Sequence, residues 1–163
     1  MERKTKIDAK DGEQFLVITR EFDLPVELLF TAYTAPEIVE QWMSTKVLKL
    51  ENRNHGGWQF ETRNPQGDVV FRANGVVHSF ETNQRIIRTF EMENTGFPAQ
   101  LEFLDFEALT AETSTLTMRI VYKSVADRDN MLKLPFAQGL NMAHDRLEKV
   151  SRSGRGDSAA ITA

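Results

Sequence analysis

Three histidines are the side chains of this sequence that titrate near neutral pH, which makes them the first candidates for acid–base chemistry. His55 precedes two glycines, His78 lies late in a predicted strand, and His144 lies on a predicted helix. None is spaced from another histidine or from a carboxylate pair as metal ligands are. His78 and His144 could transfer protons if they faced one pocket. Without that convergence we expect hydrogen-bonded or exposed histidines, and we assign no catalytic and no metal-binding residue.

Two arginines and a tyrosine could bring polar groups into the interior. Arg20 lies an even number of positions from the apolar residues of the first predicted strand, so it shares their face. Arg88 shares a face in the same way with the apolar residues of a later strand. Each could point inward and hold an anionic group, or could extend its charged end to solvent at the sheet edge. For Arg20 we favour the position at the sheet edge. With His78 and Tyr122 they are the best polar set for an enzyme acting in an apolar cavity.

Composition excludes several classes of protein. The net charge is -4 with a pI near 5.5, and no basic stripe of the kind that binds nucleic acid is found. Cysteine is absent, which rules out disulfides and thiolate metal sites. The polar N-terminus is unlike a signal peptide, and no apolar run approaches the ~20 residues that span a bilayer. We expect a cytoplasmic protein with no nucleic-acid partner, no membrane insertion and no cofactor.

The periodicity of apolar residues predicts the elements that must position these side chains. Alternation over residues 15–24 predicts a strand, and Pro25 and Pro36 open two short helices, the second of which ends near Trp42. Six more strands with hairpin-length loops follow, so the sheet is antiparallel. A long helix comes last, and Pro135 should kink it or split it in two. We expect one domain over residues 14–151, a flexible arm over 1–13 and a disordered tail over 152–163.

Two short helices are too small to cover a sheet of about seven strands. The predicted fold is therefore α+β, with a curved antiparallel sheet wrapped around the long C-terminal helix and two short helices after the first strand. A gap between sheet and helix would form a ligand cavity. Eleven phenylalanines suit such an apolar interior. The predicted ligand-binding residues are Phe30, Trp42, Met43, Trp58, Phe60, Phe71, His78, Phe90, Phe103, Met118, Phe136 and Leu140.

Four segments resemble the helix-grip superfamily of birch-pollen-allergen-like and START-related lipid-binding proteins (SRPBCC). Within that superfamily they are most similar to the bacterial branch of homologues of the activator of Hsp-90 ATPase. The segments are R-E-F-D-L-P-V-E-L-L-F-T-A-Y-T-A-P-E-I-V-E-Q-W at 20–42, G-G-W-Q-F-E at 56–61, G-V-V-H-S-F-E at 75–81, and R-D-N-M-L with G-L-N-M-A-H-D-R-L within 128–147. The resemblance implies a hydrophobic cavity between the sheet and the C-terminal helix.

The resemblance leaves the function open, because relatives of this fold bind lipids or hormones, cyclise polyketides or assist a chaperone. We expect a binding protein, more readily than an enzyme, for a hydrophobic lipid- or polyketide-like molecule. One alternative is a cyclase- or dehydratase-like enzyme, and another is a chaperone-associated or stress-response regulator. A homodimer and a chaperone partner stay open as assemblies.

Overall fold

Eight antiparallel strands form one open sheet in this computed structural model, which describes the backbone of residues 4–162 and the side chains up to residue 153. The strands are β1 Lys6–Asp8, β2 Phe15–Phe22, β3 Lys46–Leu50, β4 Gly57–Arg63, β5 Val69–Glu81, β6 Arg85–Met92, β7 Gln100–Ala108 and β8 Ser114–Val121. Their order across the sheet is β1-β2-β8-β7-β6-β5-β4-β3. Strands β3 to β8 therefore form a meander of neighbouring hairpins, and β2 joins it beside β8.

Alternating burial gives the sheet an inner face. In β2, β7 and β8 every second residue is buried, as the two-residue period of a strand requires. Leu16, Ile18, Leu104, Leu116 and Ile120 are each at most 3% exposed on that face. The hydrophobic core lies between this inner face and the helices.

Two prolines set the first pair of helices, α1 Val26–Thr34 and α2 Pro36–Met43. Pro25 is the residue that precedes α1, and its carbonyl accepts the first hydrogen bonds of the helix. Pro36 is the first residue of α2, where its missing N–H is not needed. The expected pair of short helices is thus confirmed, with Trp42 in the last turn of α2.

The predicted long helix is split into α3 Val125–Leu132 and α4 Phe136–Thr162. Ser124 caps α3, since its hydroxyl oxygen accepts a hydrogen bond from the Asp127 N–H at 3.1 Å. Pro135 lies in the break, as expected of a residue that cannot continue the helical hydrogen bonds. Side chains of α4 pack over the inner face of the sheet and close the core on that side.

The α+β class is confirmed, and the predicted domain over residues 14–151 stays a prediction. The arm predicted to be flexible contains β1, whose Lys6 pairs with Thr19 of β2 and makes the sheet eight-stranded. The tail predicted to be disordered continues α4 to Thr162. No helix in residues 4–162 combines the length and the apolarity needed to cross a membrane.

Candidate functional site

A cavity of about 260 Å³ lies between the inner face of the sheet and the helices α2, α3 and α4. Its walls are mostly apolar, and most of the polar side chains come from β6, from β7 and from Tyr122 directly after β8. The lining residues are Ile18, Tyr33, Trp42, Met43, Arg88, Phe90, Met92, Gln100, Glu102, Met118, Ile120, Tyr122, Met131, Phe136, Leu140, Ala143 and Arg146.

The sheet contributes its side of the cavity through alternate residues of its strands, which lie on the inner face. Phe90 and Met92 come from β6, and Met118 and Ile120 come from β8, each pair two residues apart. Because alternate side chains of a strand point to the same face, β6, β7 and β8 each add more than one wall residue, while β2 adds Ile18. Four lining methionines carry flexible thioether chains that can adapt to an occupant of irregular shape.

The helices supply the opposite wall. Phe136, Leu140 and Ala143 occur at positions i, i+4 and i+7 of α4, so they share the helix face that meets the sheet. Trp42 of α2 is fixed beside them because its indole Nε1 donates to the Ala32 carbonyl oxygen at 2.7 Å. The cavity therefore has a rigid aromatic wall on α2 and a regular apolar stripe on α4.

A buried ion pair forms the polar corner of the cavity. Arg88 Nε donates to Glu102 Oε1 at 3.0 Å, and Gln100 Nε2 donates to Glu102 Oε2 at 2.8 Å. The sheet register brings these groups together, since Glu102 pairs with Arg88 across the β6–β7 ladder. The Arg88 guanidinium also stacks 5.0 Å from the Trp58 ring. Both carboxylate oxygens of Glu102 thus accept a hydrogen bond, and the positive charge of Arg88 balances the negative charge of Glu102 inside the core.

Two buried tyrosines line the cavity near this corner. Tyr33 Oη lies 3.5 Å from His144 Nε2. Tyr122 is 4% exposed, and its hydroxyl has no hydrogen-bond partner among the residues described. Burial raises the pKa of both phenols, and the neighbouring Glu102 carboxylate raises that of Tyr122 further. Each phenol therefore stays protonated at neutral pH and acts as a hydrogen-bond donor.

Arg20 points inward, but it contacts α4 instead of the cavity. Its Nη2 lies 2.9 Å from Asp145 Oδ1, and its Nη1 donates to Asn141 Oδ1 at 3.3 Å. Only 2% of the residue is exposed. The favoured interpretation of Arg20 as an edge residue reaching solvent is wrong, because the carboxylate on α4 lies directly above the strand.

Arg146 is the cation at the solvent side of the cavity. It is exposed, and its Nε donates to the Trp42 carbonyl oxygen at 3.0 Å, which links α4 to the end of α2. Within residues 4–153 no group of three or more histidine, aspartate or glutamate side chains is placed to hold a metal ion.

Half of the twelve predicted binding residues line the cavity. These six are Trp42, Met43, Phe90, Met118, Phe136 and Leu140. Three others pack in the core and are not among the lining residues: Phe30 lies against Phe106, and Trp58 lies against Phe60 and behind the lining residue Phe90. Phe71 is a partly buried residue at the edge of the core. Their apolar side chains serve packing, which sequence periodicity does not distinguish from pocket lining.

His78 and Phe103 lie outside the cavity for local reasons. His78 is exposed at the point where the pairing of β5 with β6 shifts register, between Val77 and Ser79. Phe103 alternates with the buried Glu102 and Leu104, so its ring lies on the outer face of the sheet. Neither residue is therefore part of the site proposed below.

Arg88 was among the polar candidates predicted from sequence, but Gln100 and Glu102 were not, because their residue types are those expected of solvated surface. Gln100 and Glu102 share the parity of Leu104 and Phe106, and this parity was the signal that could have placed them on the inner face. Met131 and Arg146 carry no comparable signal, since their position depends on how α3 and α4 cross the sheet.

Comparison with known proteins agrees with this architecture. The family described as Activator of Hsp90 ATPase homolog 1-like protein matches residues 23–152. A crystal structure of a Rhodobacter sphaeroides protein is 20% identical, with a TM-score of 0.82 over 92% of this chain and 99% of that one. A solution structure from Arthrobacter aurescens is 15% identical, with a TM-score of 0.80 over 91% of each chain. These likenesses show the fold. No curated protein is significantly similar to the chain in sequence.

Proposed function

The chain belongs to the Activator of Hsp90 ATPase homolog 1-like family of the SRPBCC superfamily, and from this membership and its cavity we propose that it binds a hydrophobic small molecule. The proposed site is the cavity between the inner sheet face and α2, α3 and α4. Membership in the family confirms the resemblance expected from the sequence. It does not by itself identify a ligand, because one fold hosts many functions.

The observation that carries this proposal is the cavity of about 260 Å³, whose mostly apolar walls come from both the sheet and the helices. Protein interiors are normally close-packed, so a void of this size forgoes contacts that solid packing would supply. A hydrophobic ligand would recover those contacts and remove apolar surface from water, at roughly 25 cal/mol per Å². The adaptable Met43, Met118 and Met131 would then close around it.

Filling the cavity from α4 tests the proposal. We expect Ala143→Phe to place a ring in the cavity and to weaken binding of an apolar naphthalene probe by roughly tenfold or more. Binding is measured by the fluorescence of Trp42 in a Trp58→Phe background, because the chain has two tryptophans and Trp42 alone lines the cavity.

The matched control is Ala137→Phe, which adds the same ring to an exposed position of the same helix. It should bind the probe as the parent does. Equal loss in both variants, or no loss in Ala143→Phe while the protein stays folded, would contradict binding in this cavity.

A cyclase- or dehydratase-like activity is the second candidate, and Arg88 and Tyr122 in one cavity are the observation that favours it. The set proposed from sequence is incomplete, because His78 and Arg20 are elsewhere. Both phenols stay protonated, so they suit polarising a carbonyl better than removing a proton. If a substrate is found, turnover unchanged in Arg88→Met and Tyr122→Phe would remove this candidate.

A chaperone-associated role is the third candidate, and it would use an apolar surface outside the cavity. The exposed valines of β5 support it, since Val70 is 61% exposed and Val69 is beside it. The test is the ATPase rate of an Hsp90-class chaperone with the parent protein and with Val70→Glu. Equal rates with and without the parent protein would remove this candidate.

A further inference from the structure

Arg88 brings unused hydrogen-bond donors to the cavity. Its side chain lines the cavity and is 9% exposed, and its Nε donates to the Glu102 carboxylate. Within residues 4–153 neither Nη1 nor Nη2 of Arg88 has a hydrogen-bond partner, and neither is one of the unpaired polar atoms that protein fully encloses. Donors without partners in the interior have lost hydration with nothing in return, so these N–H groups point to an acceptor that a ligand brings.

The shape of the guanidinium favours a carboxylate as that acceptor. Its N–H groups form a rigid planar fork, and the edge of Nη1 and Nη2 can donate two parallel hydrogen bonds to the two oxygens of one carboxylate. Glu102 occupies the Nε side of Arg88, and the guanidinium lies 5.0 Å from the centre of the Trp58 ring. These two contacts hold the plane of the fork, so a ligand meets donors that are already oriented.

The charges that line the cavity leave room for one negative charge. Among the lining residues there are two arginines, Arg88 and Arg146, and one carboxylate, that of Glu102. Arg88 and Glu102 neutralise each other as a buried pair. The charge of Arg146 is not neutralised in this way, because its guanidinium donates to the uncharged Trp42 carbonyl oxygen. A monoanionic ligand would balance the cavity, whereas a cationic one would add to the excess of positive charge.

Size limits the body that carries the negative charge. The cavity volume of about 260 Å³ is just below the roughly 300–1,000 Å³ that is usual for ligand pockets. Aromatic rings of Trp42, Phe90 and Phe136 form part of the wall. A compact ring system suits this space, whereas a long acyl chain would leave much of its length outside.

We propose that the ligand is a compact hydrophobic acid whose carboxylate accepts hydrogen bonds from the Nη groups of Arg88, while Arg146 supplies a second positive charge at the solvent side of the cavity. This inference rests on the proposed binding function and specifies the chemistry of the ligand. The observation that carries it is a cation, nine-tenths buried, with unpaired donors in the wall of an apolar cavity.

Three naphthalene probes that differ in charge test the inference: 2-naphthoate, 2-acetylnaphthalene and 2-naphthylmethylammonium. Their dissociation constants are measured by isothermal titration calorimetry at pH 7.5, where the acid is ionised and the amine is protonated. We expect the parent protein to bind the carboxylate about 10- to 100-fold more tightly than the ketone, the range of a net hydrogen bond to a charged group. The ammonium probe should bind most weakly.

Two variants of the ion pair locate the carboxylate. Glu102→Gln removes the competing negative charge and keeps an acceptor for Arg88, so 2-naphthoate should bind about 2- to 10-fold more tightly than in the parent protein. The double variant Arg88→Gln with Glu102→Gln removes the donors without leaving a buried charge unpaired. Its preference for the carboxylate over the ketone should fall by about tenfold from that of the parent.

A matched pair on α4 tests the contribution of Arg146. Arg146→Gln should weaken binding of 2-naphthoate by about 2- to 5-fold, the range of an exposed charge pair, and should leave binding of the ketone unchanged. The control is Lys149→Gln, which removes an exposed positive charge of the same helix that does not line the cavity. Equal weakening in both variants would contradict a local role of Arg146.

The contrary results are distinct. Equal binding of carboxylate and ketone by the parent, or tightest binding of the ammonium probe, would overturn the inference while the binding function stands. A carboxylate preference that survives in full in the double variant would also overturn it. If the double variant did not fold, Glu102→Gln would decide, because 2-naphthoate binding that is not strengthened there contradicts a carboxylate beside Arg88. If the parent bound none of the three probes, the proposed function and the inference would fall together.

Discussion

His144 shows at the residue scale how a candidate catalytic group becomes a structural one. The residue is fully buried, and its ring packs 5.5 Å from that of Phe22. Its Nδ1 lies 2.7 Å from the Thr5 hydroxyl, so the imidazole joins α4 to the N-terminal segment. Burial, with the nearby Arg20 charge, lowers the pKa of His144 to about 3. The imidazole is therefore neutral at physiological pH and holds the fold together.

This histidine predicts a loss of stability in mild acid. Its pKa is about 3 in the folded state, against about 6.5 in the unfolded chain, so the unfolded state binds more protons between these values. The stabilisation is complete above pH 6.5 and falls as the pH drops toward 3, by about 2 kcal/mol at pH 5. Urea unfolding at pH 7.5 and pH 5 measures the change.

Variants separate this contribution from that of the carboxylates. His144→Gln should have a lower free energy of unfolding and a shallower decline between pH 7.5 and pH 5. His78→Gln changes an exposed histidine and should keep the full decline of the parent. An identical pH dependence in the parent and in His144→Gln would show that His144 does not titrate as described.

Individual residues were the least predictable level of the structure. The strand pattern left Arg88 either inward or at the sheet edge, and it could not show that Glu102 lies opposite on the next strand. That depends on the register of β6 with β7, which no local pattern encodes. The role of Arg20 was misjudged for the same reason, since Asp145 is far away in sequence and close only once α4 crosses the sheet.

At the scale of elements, Gly75 shows how strand β5 accommodates its neighbours. A glycine inside a strand often marks a bulge, but the register shift of β5 occurs later, between Val77 and Ser79. Gly75 instead lies where a side chain would collide with the Thr89 carbonyl oxygen and the Trp58 indole. The glycine is required by close approach, which allows Trp58 to donate from Nε1 to the Thr89 carbonyl at 3.2 Å.

Gly75→Ala should therefore be destabilising. The added methyl group must displace either the β6 backbone or the indole, and we expect a cost of about 1–3 kcal/mol in the free energy of unfolding. Urea unfolding checks the stability, and tryptophan fluorescence checks the displacement of Trp58.

Gly139→Ala is the control, since a methyl group there meets no atom within 4 Å and alanine favours the helix. It should leave the stability unchanged or raise it by up to about 1 kcal/mol. If both substitutions stabilised the protein, close packing at Gly75 would be refuted.

Most elements could be predicted because their signals are local. Alternation predicted seven of the strands, and Pro25, Pro36 and Pro135 marked the starts and the break of the helices. The short strand β1 has only three residues and gains its order from pairing with β2, which is a long-range contact. The C-terminal part of α4 has serines and glycines that indicate a poor helix, so no local signal predicted its extent.

At the scale of the whole molecule, the cavity depends on how the helices pack against the inner face of the sheet. The sheet presents one apolar face, and α4 crosses it with a single apolar stripe, so the space between depends on side chains from both sides. The sequence predicted this arrangement and half of the residues that line it. It could not predict the volume, because whether large side chains fill a gap depends on distances between elements far apart in the chain.

The most direct test of the central claim is a methionine-methyl NMR titration of the parent protein with 2-acetylnaphthalene. Four of the six methionines, Met43, Met92, Met118 and Met131, line the cavity, whereas Met142 is exposed on α4. We predict saturable shifts of those four methyl resonances through the ring current of the probe, with Met142 unchanged. Shifts confined to Met142, or no shift at the four cavity methionines at saturating probe, would contradict ligand binding between the sheet and α4.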